Sequence, residues 1–294
     1  NWRHPGVQRL LILMGPAIFG VSVAQLNFLI STLIASFLRE GSISWLYFSD
    51  RLMEFPLGIF GVALGTVMLP SLAEYHARGQ HRLFSDTLDW ALRLILVITV
   101  PSAVGLAVLA GPMLSTLFQY GRMTEFDVIM SARSLVAYAF GLSGFIFVKV
   151  LAPAFFARQD VRTPVKIGVV ALLSNLVLNL ALVVPLQHAG LALATSLAAF
   201  INAWLLLRAL TAQQIYVPQP GWSWFTAKVI VAAGVMSLVL VLLNAPTLLW
   251  SSWPWLTRAL RLTGLIALGV AVYFGCCWSF GLRRRDVAQP TATI

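Results

Sequence analysis

Tyr47, Arg51 and Glu54 occur at i, i+4 and i+7, with Asp50 beside them. On a helix that spacing puts a phenol, a guanidinium and a carboxylate on one face. A guanidinium donates two parallel, charge-assisted hydrogen bonds to a phosphate or carboxylate, so the group suits an anionic substrate, with Glu54 and Asp50 holding the fork or relaying protons. The competing reading is an ion pair of Arg51 with Glu54 or Asp50 that neutralises itself as helices pack. Two more cations interrupt apolar segments, Arg133 and Lys149. Both stand near enough to a segment end for their aliphatic stems to carry the charge to an interface; Arg133, in the same half of the apolar layer as Arg51, is kept as a second cavity candidate.

Other chemistry is thin. Asn175 and Asn179 lie at i and i+4, with Thr195 and Ser196 following the next turn; interhelical hydrogen bonding is the favoured reading, because a hard cation such as sodium prefers at least one carboxylate and none is near. The histidines, His4, His76, His81 and His188, fall in loops or at segment ends and offer neither zinc spacing nor a triad. Ser143 lies in Gly-Leu-Ser-Gly, which lacks the spacing of a nucleophile elbow. Cys276 and Cys277 are adjacent and read as packing residues. No acid-base constellation points to an enzyme, and no cofactor motif occurs.

The elements that carry these residues follow from where charge is missing. Apolar residues make up 59% of the 294 and charged residues 10%, against roughly 25% charged in a soluble domain, so the chain is read as a membrane protein. About 20 apolar residues of helix cross a bilayer, and 10–38, 55–73, 94–121, 229–257 and 262–282 carry no charge at all. The 41-residue run 167–207 is also free of Lys, Arg, Asp and Glu; it must hold two helices, divided at Pro185-Leu-Gln-His-Ala-Gly190. Strand-type alternation is absent. The expectation is an all-α, polytopic bundle of about eight transmembrane helices, near 10–38, 43–73, 87–120, 127–157, 165–186, 189–210, 224–244 and 257–281.

An even number of crossings returns both termini to one side, and the basic residues choose it. One side collects thirteen (Arg3, Arg9, Arg78, Arg82, Arg93, Arg158, Arg162, Lys166, Arg208, Lys228 and Arg283 to Arg285), the other only Arg39, Arg122, Arg258 and Arg261. The richer side is read as cytoplasmic. The net charge of +10 therefore reports topology and not nucleic-acid binding, since it is spread over separate loops. The first residue is Asn, which together with the short basic stretch before a long helix suggests the later part of a longer protein.

Arg51 lies nine residues after Ser42, about 13 Å along a helix, close to the bilayer midplane. A charge there costs about 2.5–3.5 kcal/mol on insertion scales. Pro16, Pro56, Pro101 and Pro153 interrupt spans and Gly61-Val-Ala-Leu-Gly65 permits close helix contact; both patterns serve packing, and both suit hinges for alternating access. The 76–82 segment reads as a basic loop against anionic lipid, and Trp222, Trp224, Trp250, Trp253 and Trp255 as an interfacial belt.

Ser49-Asp-Arg-Leu-Met-Glu-Phe-Pro-Leu-Gly-Ile-Phe-Gly-Val-Ala-Leu-Gly-Thr-Val-Met-Leu-Pro-Ser-Leu72 resembles the signature helix of the MurJ (MviN) lipid II flippases. Leu117-Phe-Gln-Tyr-Gly121 and Val148-Lys-Val-Leu-Ala-Pro-Ala-Phe-Phe-Ala-Arg-Gln-Asp-Val-Arg-Thr-Pro-Val165 are similar to later stretches of the same family, in the same order. The likeness is specific over 10–220; the last two helices match by position and hydropathy. It implies a MATE-like second lobe of the multidrug/oligosaccharidyl-lipid/polysaccharide (MOP) exporter superfamily at 1–215, followed at 216–294 by a C-terminal helix pair forming a groove for a lipid tail. On that likeness the chain is helices seven to fourteen, and its partners are the N-terminal lobe, lipid II, the phospholipid bilayer and cell-wall synthesis enzymes.

The resemblance further implies translocation of undecaprenyl-diphosphate-linked peptidoglycan precursor to the outer leaflet of the bacterial inner membrane by alternating access. Arg51 falls at the second-lobe cavity arginine and Glu54 at the acidic residue next to it. Some members bind sodium between helices seven, eleven and twelve; Asn175, Asn179 and Thr195 fall at those positions, but Asn179 stands where such members can have aspartate, and Gln25 and Asn27 are the nearest polar groups of the first helix. The alternatives are another MOP-type exporter, for drugs or O-antigen carrier lipids, and a non-transporting scaffold for cell-wall enzymes.

Overall fold

A computed structural model describes residues 25–281. Regular structure among them is α-helical throughout: α1 (Gln25–Ser36), α2 (Ser42–Ala77), α3 (His81–Val108), α4 (Ala110–Leu117), α5 (Glu125–Phe156), α6 (Arg162–Leu186), α7 (His188–Ala212), α8 (Trp222–Leu243), α9 (Thr247–Ser252) and α10 (Trp255–Ser279). Seven of these, α2, α3, α5, α6, α7, α8 and α10, are long and apolar enough to cross a membrane. The eighth expected span is described only from residue 25 onward, as α1; its first part, Pro16, and the terminal arginines at 3, 9 and 283 to 285 lie outside the described residues.

α5 is the axis of the bundle and its most buried span, packed against α2, α3 and α7. Small residues allow this. A Cβ on Gly141 would come within 2.4 Å of Ser196 Oγ, and one on Gly144 within 3.0 Å of the Phe200 nitrogen, so α7 lies directly on the α5 backbone. In an apolar solvent the remaining specificity comes from hydroxyls. Ser49 of α2 donates to the Ser131 carbonyl (2.6 Å), Ser196 of α7 donates to the Ala137 carbonyl (2.7 Å), and Thr99 of α3 and Ser143 share a hydrogen bond of 2.8 Å.

The turn expected at 185–190 contracts to one residue, Gln187, at φ 52. α6 and α7 meet so closely behind it that a Cβ on Gly190 would stand 2.2 Å from the Leu182 carbonyl oxygen. Elsewhere the expectations need correction. The span 87–120 begins at His81 and divides at Leu109 into α3 and α4. Pro112 has no N–H to give the Val108 carbonyl four residues back, and its ring collides with that carbonyl in a continuous helix; Asn244 Nδ2 donates to the freed oxygen instead, at 3.4 Å. The 76–82 basic loop shrinks to 78–80, because α2 runs to Ala77 and α3 starts at His81.

The tryptophan belt also divides. Trp224 and Trp255 are exposed, but Trp250 is buried and donates to Asn244 Oδ1 (3.3 Å), while Trp222 donates to Asp89. A second hydrophobic cluster joins Val97 and Leu109 to Phe225, Val229, Met236 and Tyr273, seating α8 and α10 on α3.

That seat is fastened by a charge inside the protein. Asp89 is 1% exposed; its Oδ1 accepts from Tyr216 Oη (2.8 Å), the Gln219 N–H (3.1 Å) and Trp222 Nε1 (2.7 Å), and its Oδ2 from Arg93 Nε (2.7 Å). Arg93 in turn donates to the Pro220 carbonyl (3.2 Å) and lies over the rings of Trp222 and Phe225. Burial and the neighbouring Asp89 carboxylate push the Tyr216 phenol well above the ordinary tyrosine range, so this donor keeps its proton at any physiological pH. Removing one partner of an enclosed pair strands the other charge. Asp89→Ala is expected to lower stability by about 3–5 kcal/mol and open the 213–221 loop to protease, whereas Glu74→Ala, whose ion pair with Arg78 joins two exposed side chains near the end of α2, costs under about 1 kcal/mol; equal losses in detergent melting would contradict the assignment.

Candidate functional site

The α2 face expected from the i, i+4, i+7 spacing forms as a unit. Arg51 Nη1 donates to Glu54 Oε2 at 2.8 Å, and the guanidinium carbon lies 4.9 Å from the centre of the Tyr47 ring. Asp50 is half-buried, within electrostatic range of Arg51, Glu54 and Tyr138 of α5. The Arg51 and Glu54 side chains remain 54% and 50% exposed. A guanidinium has five N–H donors; Glu54 and Tyr47 fix its plane, and the rest of the fork faces outward from the bundle. The ion pair of the competing sequence reading is present, and the guanidinium keeps an exposed edge.

Lys149 does not simply run to an interface. Its stem crosses α2 where a Cβ on Gly61 would meet Lys149 Cδ at 2.7 Å, so Gly61 provides the gap. The side chain enters a cleft of about 340 Å³ lined also by Asn27, Asn175, Thr195 and Asn202. Asp50, Glu54, Leu57 and Gly61 form one stripe of α2 at i, i+4, i+7 and i+11, so the Lys149 cleft lies on the same side of α2 as the carboxylates. Lys149 makes no hydrogen bond or ion pair with any described residue.

Asn175, Asn179 and Thr195 come together as expected, with one member that sequence reasoning missed, Ser31 of α1. Asn179 Nδ2 donates to Asn175 Oδ1 (2.7 Å) and Ser31 Oγ (3.3 Å), and Asn175 Nδ2 donates to Thr195 Oγ1 (3.3 Å), which donates to the Leu191 carbonyl (2.9 Å). Only Asn179 Oδ1 is left without a partner. One spare oxygen, two inward-pointing amide groups and no carboxylate do not fit a resident sodium ion. The arrangement works as a hydrogen-bonded clasp across α1, α6 and α7.

Arg133 is not brought to the α2 group. Together with Val136, Phe140, Gln187, His188 and Leu193 it lines a separate cleft of about 720 Å³ at the α6–α7 turn, on a different face of α5 from Tyr138 and Lys149. Beside it His188, the buried first residue of α7, donates from Nε2 to the Met130 carbonyl (3.0 Å) and lies against Trp45, whose Nε1 donates to Asp127 (2.8 Å). The ring stack at a helix end explains why a histidine expected in a loop is enclosed.

The Gly61–Lys149 crossing yields a test by double-mutant cycle in thermal melting. Alanine at position 61 gains helix propensity by about 1 kcal/mol but obstructs Lys149, so Gly61→Ala is expected to be more favourable in a Lys149→Ala background by about 0.5–3 kcal/mol. Strict additivity would mean the two side chains do not share the gap.

With the geometry in view, the chain compares as follows. The family sequence model described as "Lipid II flippase MurJ" matches residues 1–258. A probable lipid II flippase MurJ of Vibrio cholerae is 46% identical over 291 residues, covering 99% of this chain and 55% of the relative, and the lipid II flippase MurJ of Burkholderia cenocepacia is 42% identical, covering 96% and 55%. The chain thus spans about half the length of the curated relatives it matches. Among solved structures, a lipid II flippase MurJ in an inward closed conformation aligns with a TM-score of 0.76 at 24% identity over 97% of this chain and 57% of that one. An outward-facing MATE transporter of the MOP superfamily aligns at 0.60 and 16% identity over 94% and 65%, a likeness of fold. By the family match, the identities over nearly its whole length and the shared helical architecture, the chain belongs to the MurJ family.

Proposed function

We propose that this chain provides the second half of a lipid II flippase, and that Arg51 is the contact through which it holds the diphosphate of an undecaprenyl-linked peptidoglycan precursor. The observation that carries this is a guanidinium about 13 Å down a membrane helix, fixed by Glu54 and Tyr47 yet half exposed. Such a charge is retained where it meets water or an anionic ligand. Glu54 sets the guanidinium plane; Asp50, behind it, adds negative charge that keeps the site from holding a diphosphate irreversibly. The family membership supports lipid II as the substrate.

The same reading orients the chain. The arginine-rich loops face the cytoplasm of a bacterial inner membrane and both termini of this chain lie there. Residues 1–215 act as a six-helix lobe facing an N-terminal lobe across the cavity, and 216–294 as a helix pair beside the lipid tail; the separate hydrophobic cluster around α8 and α10 supports that division. Pro56 on α2 and Pro153 on α5 supply local bends for alternating access. The protein is a transporter with no turnover chemistry of its own, and cell-wall synthesis enzymes are its neighbours in the membrane.

The test is rescue of cells depleted of their lipid II flippase by the protein at its natural length, at matched membrane abundance, reading lipid II in the outer leaflet. Wild type is expected to rescue, Arg51→Ala to fail, and Arg51→Lys to fall at least about tenfold in rate, a point charge lacking the bidentate fork. Rescue by Arg51→Ala would make Arg51 structural. Failure of a well-inserted wild type would remove lipid II as the substrate.

A further inference from the structure

The α5–α7 seam holds a second cavity, of about 370 Å³, on the face of the bundle away from the Arg51 group. Its wall is apolar: Leu92 of α3, Phe147 and Leu151 of α5, Phe200 and Trp204 of α7, closed at the arginine-rich end by Tyr216 and Trp222. Those last two are the residues that Asp89 holds, at 2.8 and 2.7 Å, so the cavity is a built feature of the junction between α3, α7 and α8. The pocket is open on the side of Trp204, which is 56% exposed, so its apolar walls lack packing partners there unless an apolar chain enters.

Charge gathers at its mouth. Trp204 is 56% exposed, and Arg208, one turn further along α7, lies over its ring at 5.4 Å. Arg158, at the end of α5, donates to Gln213 Oε1 (3.2 Å) just beyond the end of α7. Neither arginine has a carboxylate partner among the described residues, in contrast to Arg93, which Asp89 neutralises. An aromatic-walled cavity at acyl depth with two uncompensated guanidinium groups at headgroup depth is complementary to an anionic lipid.

We infer that this seam is a binding site for an anionic phospholipid of the bilayer, with one acyl chain in the cavity between Phe147 and Trp204 and its phosphodiester on Arg208 and Arg158. The site is separate from the Arg51 face and does not depend on what that face transports. By filling the junction under the Asp89 fastening, a bound lipid couples the packing of α8 to that of α5 and α7.

The experiment is native mass spectrometry of the delipidated protein titrated with palmitoyl-oleoyl phosphatidylglycerol or the matching phosphatidylcholine. Wild type is expected to retain one phosphatidylglycerol at least about tenfold more tightly than phosphatidylcholine, in line with charge-assisted hydrogen bonds. Arg208→Ala removes that preference, and Ala203→Leu, which fills the cavity floor, weakens both lipids. Arg208 is exposed, so its variant folds; Arg82→Ala, at the same end with a 95% exposed side chain, leaves retention unchanged. The proposal is overturned if phosphatidylcholine binds equally, if Arg208→Ala has no effect, or if Arg82→Ala reduces retention as much, which would make the attraction diffuse.

Discussion

A full charge inside a bilayer must be paired, wetted or brought to an interface, and the fold is organised by how it meets that demand in different places. Asp89 and Arg93 meet it by enclosure: the carboxylate accepts four hydrogen bonds, and the pair carries the 213–221 loop and the start of α8 with it. Arg51 and Glu54 meet it by half measures. They are paired at 2.8 Å, but the pair sits on an exposed face. The two arginines, each joined to a carboxylate at hydrogen-bond distance, differ in exposure: Arg93 is enclosed with Asp89, and Arg51 is half exposed.

The bundle around them shows why the anchor can be rigid while the site stays open. α5 is gripped on three sides through glycine contacts and hydroxyl hydrogen bonds, so the core does not depend on the charged face of α2 for its packing. α2 touches α5 along the Ser49, Leu52 and Met53 side and leaves Tyr47, Arg51 and Glu54 pointing away. Gly61 lets Lys149 cross to the same side, which adds a second cation without adding a further carboxylate to Asp50 and Glu54. Negative charge on this side of the bundle therefore comes from α2, and positive charge from both helices.

Much of this was legible in residue types and spacing. The α2 constellation shows in its i, i+4, i+7 spacing and in the cost of burying its charges, and the charge-free runs locate most of the described spans to within a few residues. What the runs concealed was internal. Pro112 marks the α3–α4 break, but Asn244, which donates to the freed Val108 carbonyl, is 136 positions from that carbonyl, and no local pattern links them. Asp89 and Arg93 stand at i and i+4 at the edge of an apolar segment, a spacing that suits an ion pair, but the Tyr216, Gln219 and Trp222 groups that enclose the carboxylate lie far along the chain. Trp250 reads as an interfacial residue because hydropathy cannot tell a tryptophan facing lipid from a buried one that donates to a half-buried asparagine. Arg133 shares depth with Arg51 but lines a separate cleft, since depth carries no azimuth. Ser31 and the Lys149 crossing are contacts between distant elements, which a single sequence does not encode in any readable period.

The central claim is that the charged face of α2 is wetted at membrane depth. It is tested most directly by replacing Cys276 and Cys277 with serine, introducing Gly58→Cys one turn beyond Glu54 on that face, and labelling with a water-soluble maleimide in membranes open on both sides. Val177→Cys, on the exposed apolar face of α6, is the reference. The account predicts that position 58 labels at a rate approaching that of a loop cysteine while position 177 stays unreactive. If a well-inserted protein leaves position 58 as unreactive as position 177, the face is lipid-covered and Arg51 is no part of an aqueous site.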